Sequence, residues 1–429
     1  MANLTPCDID SQLLRDAAKR TANRCDRLAE FSDEEGRITR TFCSPAMERL
    51  HAELSAWMTA AKLECEVDAV GNLIGKSPAT ASDEVFLIGS HLDTVINAGR
   101  FDGVLGVLLG LAVAEVFNEA KIELPFSLQV IGFSEEEGVR YRFPFIGSRG
   151  ITGSLPESEL DRVDANGSSV RSALDSFGCG CGNLASASYE ACRLVGFMEA
   201  HIEQAVVLEE ASLPVGVVTT IAGQTRARIV FDGVAGHAGT VPHDRRRDAL
   251  AAAAELILKI ESLGQNTDGL FATIGCIDAK PGLSNVIAGT AELRLDLRHE
   301  VDPVREAAFD QIQRLVDEIA GHRQLAGRID NVEHTPAVQM DQELTSELSQ
   351  SVVEVVSEAK SMVSGAGHDA MILTKLTATC LLFIRCHQGI SHHPDETVSL
   401  DDIEVAINVM VKTILRVGHR CSVGASSTA

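Results

Sequence analysis

A buried strand, a helix and a second buried strand follow one another between residues 83 and 138, and this succession constrains the fold more than any other feature. The strands read DEVFLIGS and FSLQVIGFS, and the helix between them reads GVLGVLLGLAVAEVFNEA. This spacing predicts two neighbouring parallel strands joined by a right-handed crossover. Ligand groups gather beyond the carboxyl ends of the strands in such sheets. The polar segments GSHLD and SEEEG stand at those two ends, so the sequence predicts a site there.

The pattern of strands and helices changes twice along the 429 residues, which predicts one domain inserted into another. Residues 213–332 hold Val-, Ile- and Thr-rich strand patterns with two helical patterns, unlike the segments before and after them. We therefore expect an α/β fold with a mixed, mostly parallel-sheet catalytic domain formed by 1–212 and 333–429. A smaller α+β domain at 213–332 would interrupt it.

Composition disfavours several classes of partner. The formal net charge of −24 repels phosphate backbones and anionic lipids, so we expect neither nucleic acid nor a membrane surface as a partner. The most apolar run, 104–114, is too short for a bilayer core of about 30 Å, and the N-terminal residues show no secretory signal. Eleven scattered cysteines predict reduced thiols in the cytoplasm. The CGCG run at 179–182 lacks a second pair of ligands and is interpreted as a glycine-rich loop.

Histidines and carboxylates recur in short polar motifs that flank glycine, serine or strand ends. The histidine motifs are SHLDT with His91, EAHIEQ with His201, GHAGTVPH with His237 and GISHHPDE with His392 and His393. Together with Asp102 and the run Glu135–Glu137, this inventory suits two divalent ions such as zinc or manganese. Asp93 follows His91 by two residues, and we expect its side chain to orient that imidazole.

The three consecutive glutamates allow two interpretations. Adjacent carboxylates at a strand end repel one another unless a cation compensates them. If one of them binds a metal, its neighbour is well placed to take a proton from water. The alternative is a solvated acidic turn, which is the usual meaning of such a run taken alone.

Eight motifs occur in the order of a known family between residues 38 and 400. They read GSHLDTV, AGRFDGVLGV, EEEGVRY, EAHIEQ, AGHAGTVPH, LSNVIAGT, GAGHDAM and GISHHPDE. Together they resemble the hydantoinase/carbamoylase, or amidohydrolase, branch of the dinuclear metallo-aminoacylase and carboxypeptidase family. That branch contains allantoate amidohydrolases, N-carbamoyl-L-amino-acid hydrolases and β-ureidopropionases.

The resemblance implies a role for each metal-site residue. Asp102 would bridge two metal ions, and Glu136 would be the general base. The remaining ligands would be His91 and His201 at one ion, and Glu137 and His392 at the other. His392 is preferred to His393 because the family motif is Ser-His-x-Pro.

The resemblance also implies substrate contacts and a homodimer formed through the inserted domain, which would act as a lid. His237 would reach the partner subunit's active site and stabilise the oxyanion with help from Asn285. Arg298 would hold a substrate carboxylate, although a surface arginine on a strand is the plain alternative. Gln204 would contact the ureido group. The family's Gly-Pro pair after this glutamine is replaced here by Ala205 and Val206, which puts the local backbone in question.

Three stretches, including TVINAGRFDG and EEEGVRYRFPFIGSRG, are more similar to allantoate amidohydrolases than to carbamoylases. The implied reaction is hydrolysis of the ureido C–N bond of allantoate, giving ureidoglycine, ammonia and carbon dioxide. An N-carbamoyl-L-amino-acid hydrolase or β-ureidopropionase is the alternative. A peptidase or aminoacylase is disfavoured by His201, where peptidases tend to carry a carboxylate. A non-catalytic binding protein is also disfavoured, because it would lack a metal ligand or the base, and this sequence lacks neither. The segment 156–195 contains the part of the chain that is least similar to this family.

Overall fold

The structure is a computed structural model that describes residues 9–80 and 82–427. Its helices are α1 Ser11–Ala29, α2 Pro45–Ala60, α3 Val104–Glu119, α4 Ile146–Ile151, α5 Val170–Phe177, α6 Val207–Ala211, α7 Ala249–Gln265, α8 Asp302–Arg323, α9 Gln342–Val356, α10 Asp369–Leu373 and α11 Leu400–Ser427. Its strands are β1 Glu64–Val67, β2 Leu73–Lys76, β3 Glu84–His91, β4 Ser127–Phe133, β5 Arg193–Ile202, β6 Val215–Ile221, β7 Gly223–Asp232, β8 Gly236–His237, β9 Phe271–Lys280, β10 Val286–Ile287, β11 Thr290–His299, β12 Ala326–Thr335, β13 Val338–Gln339, β14 Ser361–Ser364 and β15 Thr379–Ile384.

The chain separates into two compact units. The larger contains residues up to 219, 340–362 and the residues from 368 onward, and the smaller contains 220–339 and 363–367. The boundaries expected from the sequence, 212/213 and 332/333, lie a few residues earlier. They differ because β6 begins in the larger unit and because β12 continues past residue 332, a strand that the sequence patterns did not reveal.

A mixed sheet forms the centre of the larger unit, in the order β1-β2-β4-β3-β5-β15-β6. The four central strands β4, β3, β5 and β15 are mutually parallel, whereas β1, β2 and β6 pair antiparallel. The mixed α/β fold expected from the sequence is therefore confirmed, with the parallel pairing confined to the centre. Strand β6, expected in the inserted domain, pairs with β15 instead.

Helix α3 is the predicted crossover between β3 and β4, and it is buried on nearly its whole circumference. Helices α1 and α11 pack beside it in the main core of the unit. Two glycines allow its close approach to the sheet. A Cβ atom at Gly106 would lie 2.1 Å from the carbonyl oxygen of Ala200 in β5, and one at Gly103 would lie 2.4 Å from the ring of His91. The helix therefore begins directly against the end of β3.

The smaller unit has a four-stranded antiparallel sheet in the order β12-β7-β11-β9. Helices α7 and α8 cover the sheet and bury its alternating apolar residues, such as Ile229, Phe231, Leu293 and Leu297. The predicted α+β character of this segment agrees with this sheet and helix pair.

The least familiar segment, 156–195, contains α5 and two short 3-10 helices, Glu157–Asp161 and Cys181–Ala187. Its apolar residues Leu160, Val170 and Leu174 pack with Phe42 and Val70 in a separate small core. Across the ranges that the structure describes, no helix is both long and apolar enough to cross a membrane.

Candidate active site

The ligand and base residues expected from the sequence come from the carboxyl ends of four neighbouring strands. They are His91 at the end of β3, Asp102 before α3, Glu136 and Glu137 after β4, His201 near the end of β5, and His392 in the segment after β15. Parallel strands end at the same edge of a sheet, so residues distant in sequence meet there. The structure brings all six into one cluster, in which groups of three offer ligand atoms within 4.8 Å of one another.

Asp102 lies between two groups of side chains. Its Oδ1 atom is 3.1 Å from Nε2 of His201 and 3.5 Å from Nε2 of His91. Its Oδ2 atom is 3.3 Å from Nε2 of His392, and this nitrogen is also 3.3 Å from Oε1 of Glu137. The two oxygens of one carboxylate therefore face two different sets of potential metal ligands.

Main-chain carbonyls orient the two buried imidazoles. Nδ1 of His91 is 3.0 Å from the carbonyl oxygen of Asp93, and Nδ1 of His201 is 2.9 Å from that of Ile202. With Nδ1 as the donor, Nε2 of each ring is an acceptor that faces Asp102 and can bind a cation. His91 is thus held mainly by the main chain of Asp93, whose carboxylate lies 3.4 Å away.

The carboxylate of Asp93 instead organises the glutamate run. Its two oxygens accept hydrogen bonds from the backbone N–H groups of Glu136, at 2.9 Å, and Glu137, at 3.1 Å. The end of β3 therefore fixes the segment that follows β4. The expected role of the Asp93 side chain, orientation of the His91 imidazole, stays a prediction.

The glutamate run lies in the interior, which excludes the solvated acidic turn. Glu135 and Glu136 are buried, and the side chain of Glu137 is 11% exposed. Burial raises the pKa of Glu136 well above its usual range. The neighbouring charges of Glu137 and Asp369 act in the same direction, and His91 opposes them. A glutamate with a raised pKa is suited to carry a proton near neutral pH.

The side chains fit a divalent metal site. Asp102 Oδ1 is enclosed and accepts no well-formed hydrogen bond from the residues that the structure describes, although two imidazole nitrogens face it. Burial alone would raise the pKa of Asp102, but its contacts with His201, His392 and His91 outweigh burial and lower the pKa well below its usual range. Imidazole and carboxylate groups arranged in this way match the ligands of zinc and manganese. The residues expected as ligands are therefore present as a candidate metal site.

Several residues of the cluster were not expected from the sequence. The hydroxyl of Ser391 donates to Oδ2 of Asp102 at 2.7 Å, and Glu396 accepts hydrogen bonds from the backbone that carries Asp102. The buried guanidinium of Arg40 donates to the carbonyl oxygen of Leu92 at 2.7 Å, beside His91. Ser391 and Glu396 lie in the motif GISHHPDE, but a sequence motif alone does not reveal which backbone group a side chain contacts.

Gln204 lies at the centre of the same cluster. Its Nε2 atom donates to Oδ2 of Asp102 and to the hydroxyl of Ser391, both at 3.1 Å, and its backbone is left-handed with φ of 59°. Its expected contact with the ureido group stays a prediction. Ala205, which replaces the family's glycine after Gln204, has its main chain against Gly389. A Cβ atom at Gly389 would lie 2.6 Å from the main chain of Ala205.

A fourth histidine, His368, packs against His201 of the cluster. The ring of His368, in the GAGHDAM motif, is 4.5 Å from the ring of His201, measured between centroids. Burial lowers the pKa of His368 well below its usual range, and the charge of His201 acts in the same direction. His368 therefore stays neutral and can pack against a histidine that faces a cation.

Apart from Gln204, the substrate-side residues expected from the sequence lie in the smaller unit. His237, which is exposed, belongs to β8, and the adjacent Ala238 donates its N–H to the carbonyl oxygen of Asn285 at 2.9 Å, so His237 and Asn285 are neighbours. Arg298 donates to both oxygens of Asp296, at 2.7 and 2.9 Å, and to the carbonyl oxygen of Gly365. Arg298 is thus neither an isolated surface arginine nor unpaired, and its binding role stays a prediction.

Known proteins share this sequence and fold. The profile of the peptidase family M20/M25/M40 matches residues 87–416. The chain is 38% identical over 434 residues to the allantoate deiminase of Arabidopsis thaliana, covering 94% of this chain and 82% of the relative. It is 37% identical over 370 residues to the N-carbamoyl-L-amino-acid amidohydrolase of Pseudomonas sp. (strain NS671), covering 85% and 89%.

Among solved structures, an amidase of the hydantoinase/carbamoylase family from Burkholderia multivorans is similar, with a TM-score of 0.87 and 29% identity. That match covers 94% of this chain and 98% of the amidase. The resemblance inferred from the eight motifs is confirmed by these similarities over most of the chain. The chain therefore belongs to the peptidase family M20/M25/M40, in its hydantoinase/carbamoylase branch.

Proposed function

We propose that this protein hydrolyses the ureido C–N bond of allantoate, giving ureidoglycine and a carbamate that breaks down to ammonia and carbon dioxide. The observation that carries the proposal is the position of Asp102 between the His91–His201 pair and the His392–Glu137 pair. The similarity to allantoate deiminases over nearly the whole chain supports the choice of substrate.

Two divalent ions, manganese or zinc, would occupy the cluster. His91 and His201 would hold one, Glu137 and His392 the other, and Asp102 would bind both. Bound ions of this kind polarise a carbonyl oxygen and lower the pKa of water. The distances from Asp102 support this assignment, because His91 and His201 lie nearest to its Oδ1 atom and His392 lies nearest to its Oδ2 atom.

Glu136 would act as the general base. It would take one proton from the attacking water as the new C–O bond forms at the ureido carbon, and give it to the leaving nitrogen as the C–N bond breaks. Its burial and the backbone hydrogen bond to Asp93 support this role, because they hold the carboxylate beside the candidate ligands His91 and Glu137. General-base help of this kind contributes about 10²–10⁴-fold to a rate.

The smaller unit would complete the site in a homodimer. His237 of one subunit, with Asn285, would donate to the developing oxyanion in the partner subunit, and Arg298 would hold the substrate carboxylate. A single oxyanion donor contributes about 2.7–4 kcal/mol to such a reaction. The adjacency of His237 and Asn285 supports a joint role. We also place the protein in the cytoplasm, since each cysteine whose side chain is described is free.

N-carbamoyl-L-amino-acid hydrolysis is the second candidate, because identity to a carbamoylase is 37%, almost equal to that of the deiminases. Both substrates would use the same metal ligands. The experiment that tests the proposal is ammonia release from manganese-loaded protein, with allantoate and N-carbamoyl-L-amino acids offered side by side. A higher kcat/KM for allantoate supports the first candidate, and a higher value for a carbamoyl amino acid supports the second. No ammonia from either substrate rejects both.

A further inference from the structure

Glu396 lies next to the candidate metal site and has no role in the proposed reaction. Its side chain is only 1% exposed. Its Oε1 atom accepts hydrogen bonds from two consecutive backbone N–H groups, those of Phe101 at 2.7 Å and Asp102 at 3.0 Å. A buried acceptor shared by two adjacent backbone donors fixes the orientation of that peptide segment.

The segment held by Glu396 is the one that presents Asp102. This residue precedes α3, and its backbone is therefore not supported by the hydrogen bonds of the helix interior. Glu396 replaces that support from a position 294 residues away in sequence. Without this acceptor, the N–H groups of Phe101 and Asp102 would be buried and unsatisfied, and the carboxylate of Asp102 would lose its fixed direction.

The loop of Glu396 also carries residues that face the other oxygen of Asp102. Ser391 and His392 lie a few positions earlier, at 2.7 Å and 3.3 Å from Oδ2. The backbone N–H of Glu396 bonds to the carbonyl oxygen of His393, which links Glu396 to this histidine segment. One loop therefore contacts the bridging aspartate at both its backbone and its carboxylate.

The absence of a side chain at Gly99 leaves room for Glu396. A Cβ atom there would lie 2.4 to 2.5 Å from the Cβ, Cδ and Oε1 atoms of Glu396. Gly99 does not have a positive φ, so a larger residue would be excluded by Glu396 and not by backbone strain. Glycine at this position leaves the space in which the carboxylate reaches the backbone of Phe101 and Asp102.

We propose that Glu396 is a positioning residue that holds Asp102 in the orientation needed to bind two cations at once. Glu396 acts through the backbone of the bridging residue and contacts neither substrate nor metal. The inference rests on the metal site of the proposed function and not on the identity of its substrate. Residues that orient metal ligands in this way typically contribute about 10–100-fold to metal affinity.

The test is manganese binding by the full-length protein and its variants. Metal content is measured after dialysis against buffered free Mn²⁺, and electron paramagnetic resonance distinguishes an exchange-coupled pair from isolated ions. In Glu396→Leu, which removes the acceptor, we expect affinity to fall about 10–100-fold and the coupled signal to be replaced by that of isolated ions. Glu396→Gln keeps an acceptor oxygen and should retain the coupled pair. Gly99→Ala should weaken the pair because it displaces Glu396.

Asp68→Leu is the matched control for a lost buried acceptor. Oδ1 of Asp68 also accepts from two backbone N–H groups, those of Val70 and Asn72, both at 2.9 Å. The Asp68→Leu variant should melt at a lower temperature than the wild type but keep the exchange-coupled pair of manganese ions. A folded Glu396→Leu or Gly99→Ala with affinity within about threefold of wild type overturns the inference, as does a Glu396→Gln as weak as Glu396→Leu. Wild-type protein that binds no manganese would instead reject the metal site itself.

Discussion

At the scale of single residues, the glutamate run shows how neighbours of one type can differ in role. Glu136 and Glu137 both offer a backbone N–H to the carboxylate of Asp93, so their backbones are fixed together. Their side chains have different neighbours, because Oε1 of Glu137 lies 3.3 Å from Nε2 of His392, whereas buried Glu136 lies beside His91 and Glu137. The assignment of base and ligand therefore predicts opposite effects for the same substitution.

Glu136→Gln should keep two metal ions and lose turnover by about 10²–10⁴-fold, because the amide cannot take a proton. Glu137→Gln should lose metal from the His392 side, because a neutral amide is a poorer ligand for a divalent ion. Metal analysis and single-turnover assays on both variants separate the two roles. If Glu136→Gln loses metal and Glu137→Gln keeps it, the order of the two residues is reversed.

His51 provides a test that depends on pH. It is buried in α2 against Phe177, at 5.2 Å between ring centroids, and neither ring nitrogen has a hydrogen-bond partner within 9–80 and 82–427. Burial lowers the pKa of His51 to about 3, and the charge of Arg40 acts in the same direction. Below about pH 6.5, His51 binds a proton in the unfolded chain but stays neutral in the folded chain. The free energy of unfolding therefore falls as the pH drops from about 6.5 towards 3.

His51→Leu should remove this loss. Between pH 8 and pH 5 the wild type should lose about 2 kcal/mol more unfolding free energy than the variant. Urea denaturation of both proteins at the two pH values gives the difference directly, and other titrating groups cancel in the comparison. An unchanged difference between wild type and variant at the two pH values would show that His51 is protonated in the folded protein.

At the scale of elements, the contact of α3 with β3 and β5 determines where the candidate ligands meet. Helix α3 starts at Val104, two residues after Asp102, and β3 ends at His91. Helix α3 lies close to both of these strands at Gly106. A Cβ atom at this position would lie 2.1 Å from the carbonyl oxygen of Ala200 in β5 and 2.7 Å from Cβ of Ser90 in β3. A backbone oxygen cannot move away as a flexible side chain can, so this glycine sets the distance between helix and sheet.

Gly106→Ala should therefore lower the free energy of unfolding by about 1–3 kcal/mol, the usual cost of overpacking, despite the better helix propensity of alanine. Gly110→Ala, one turn later in α3, is the control. A Cβ at this position meets only side chains, with Cγ2 of Ile88 at 3.0 Å and Cγ1 of Val130 at 3.1 Å. Denaturant unfolding should show a smaller effect for Gly110→Ala. Equal losses of unfolding free energy for both substitutions would contradict the proposal that Gly106 sets the distance between α3 and the sheet.

At the scale of the whole molecule, the proposed homodimer would make each active site depend on both chains. The candidate metal ligands lie in the larger unit, whereas His237, Asn285 and Arg298 lie in the smaller one. In a symmetric dimer each subunit can supply to its partner what the partner lacks. A defect in the metal-side residues of one chain and a defect in His237 of another can then complement each other.

Glu136→Gln and His237→Ala should each be nearly inactive alone. When the two variants are unfolded, mixed in equal amounts and refolded, half of the dimers are mixed and one of their two sites has both intact residues, so activity should recover to about a quarter of wild type. Each variant refolded alone serves as the control. No recovery in the mixture, with mixed dimers demonstrated by differential tags, would show that His237 acts within its own chain.

Most of the fold and the identity of the candidate ligands could be predicted from the sequence. Periodicity placed β3, α3 and β4, since burial and local backbone preference act over a few residues. Motif chemistry identified Asp102, His91, His201 and the glutamate run, since metal ligands are restricted to a few side-chain types. The sequence could not place β12 or assign β6 to the larger sheet, because strand pairing is decided by partners far away in the chain.

Only the tertiary structure decided how the candidate ligands are held. It shows that the carboxylate of Asp93 bonds the backbone of the glutamate run, and that Glu396 bonds the backbone of Asp102 across 294 positions. A side chain that accepts from a distant backbone leaves no local pattern, because the donor is a peptide group that every residue except proline has. The sequence by itself therefore determined which groups can bind a metal, and the fold determined their distances and orientations.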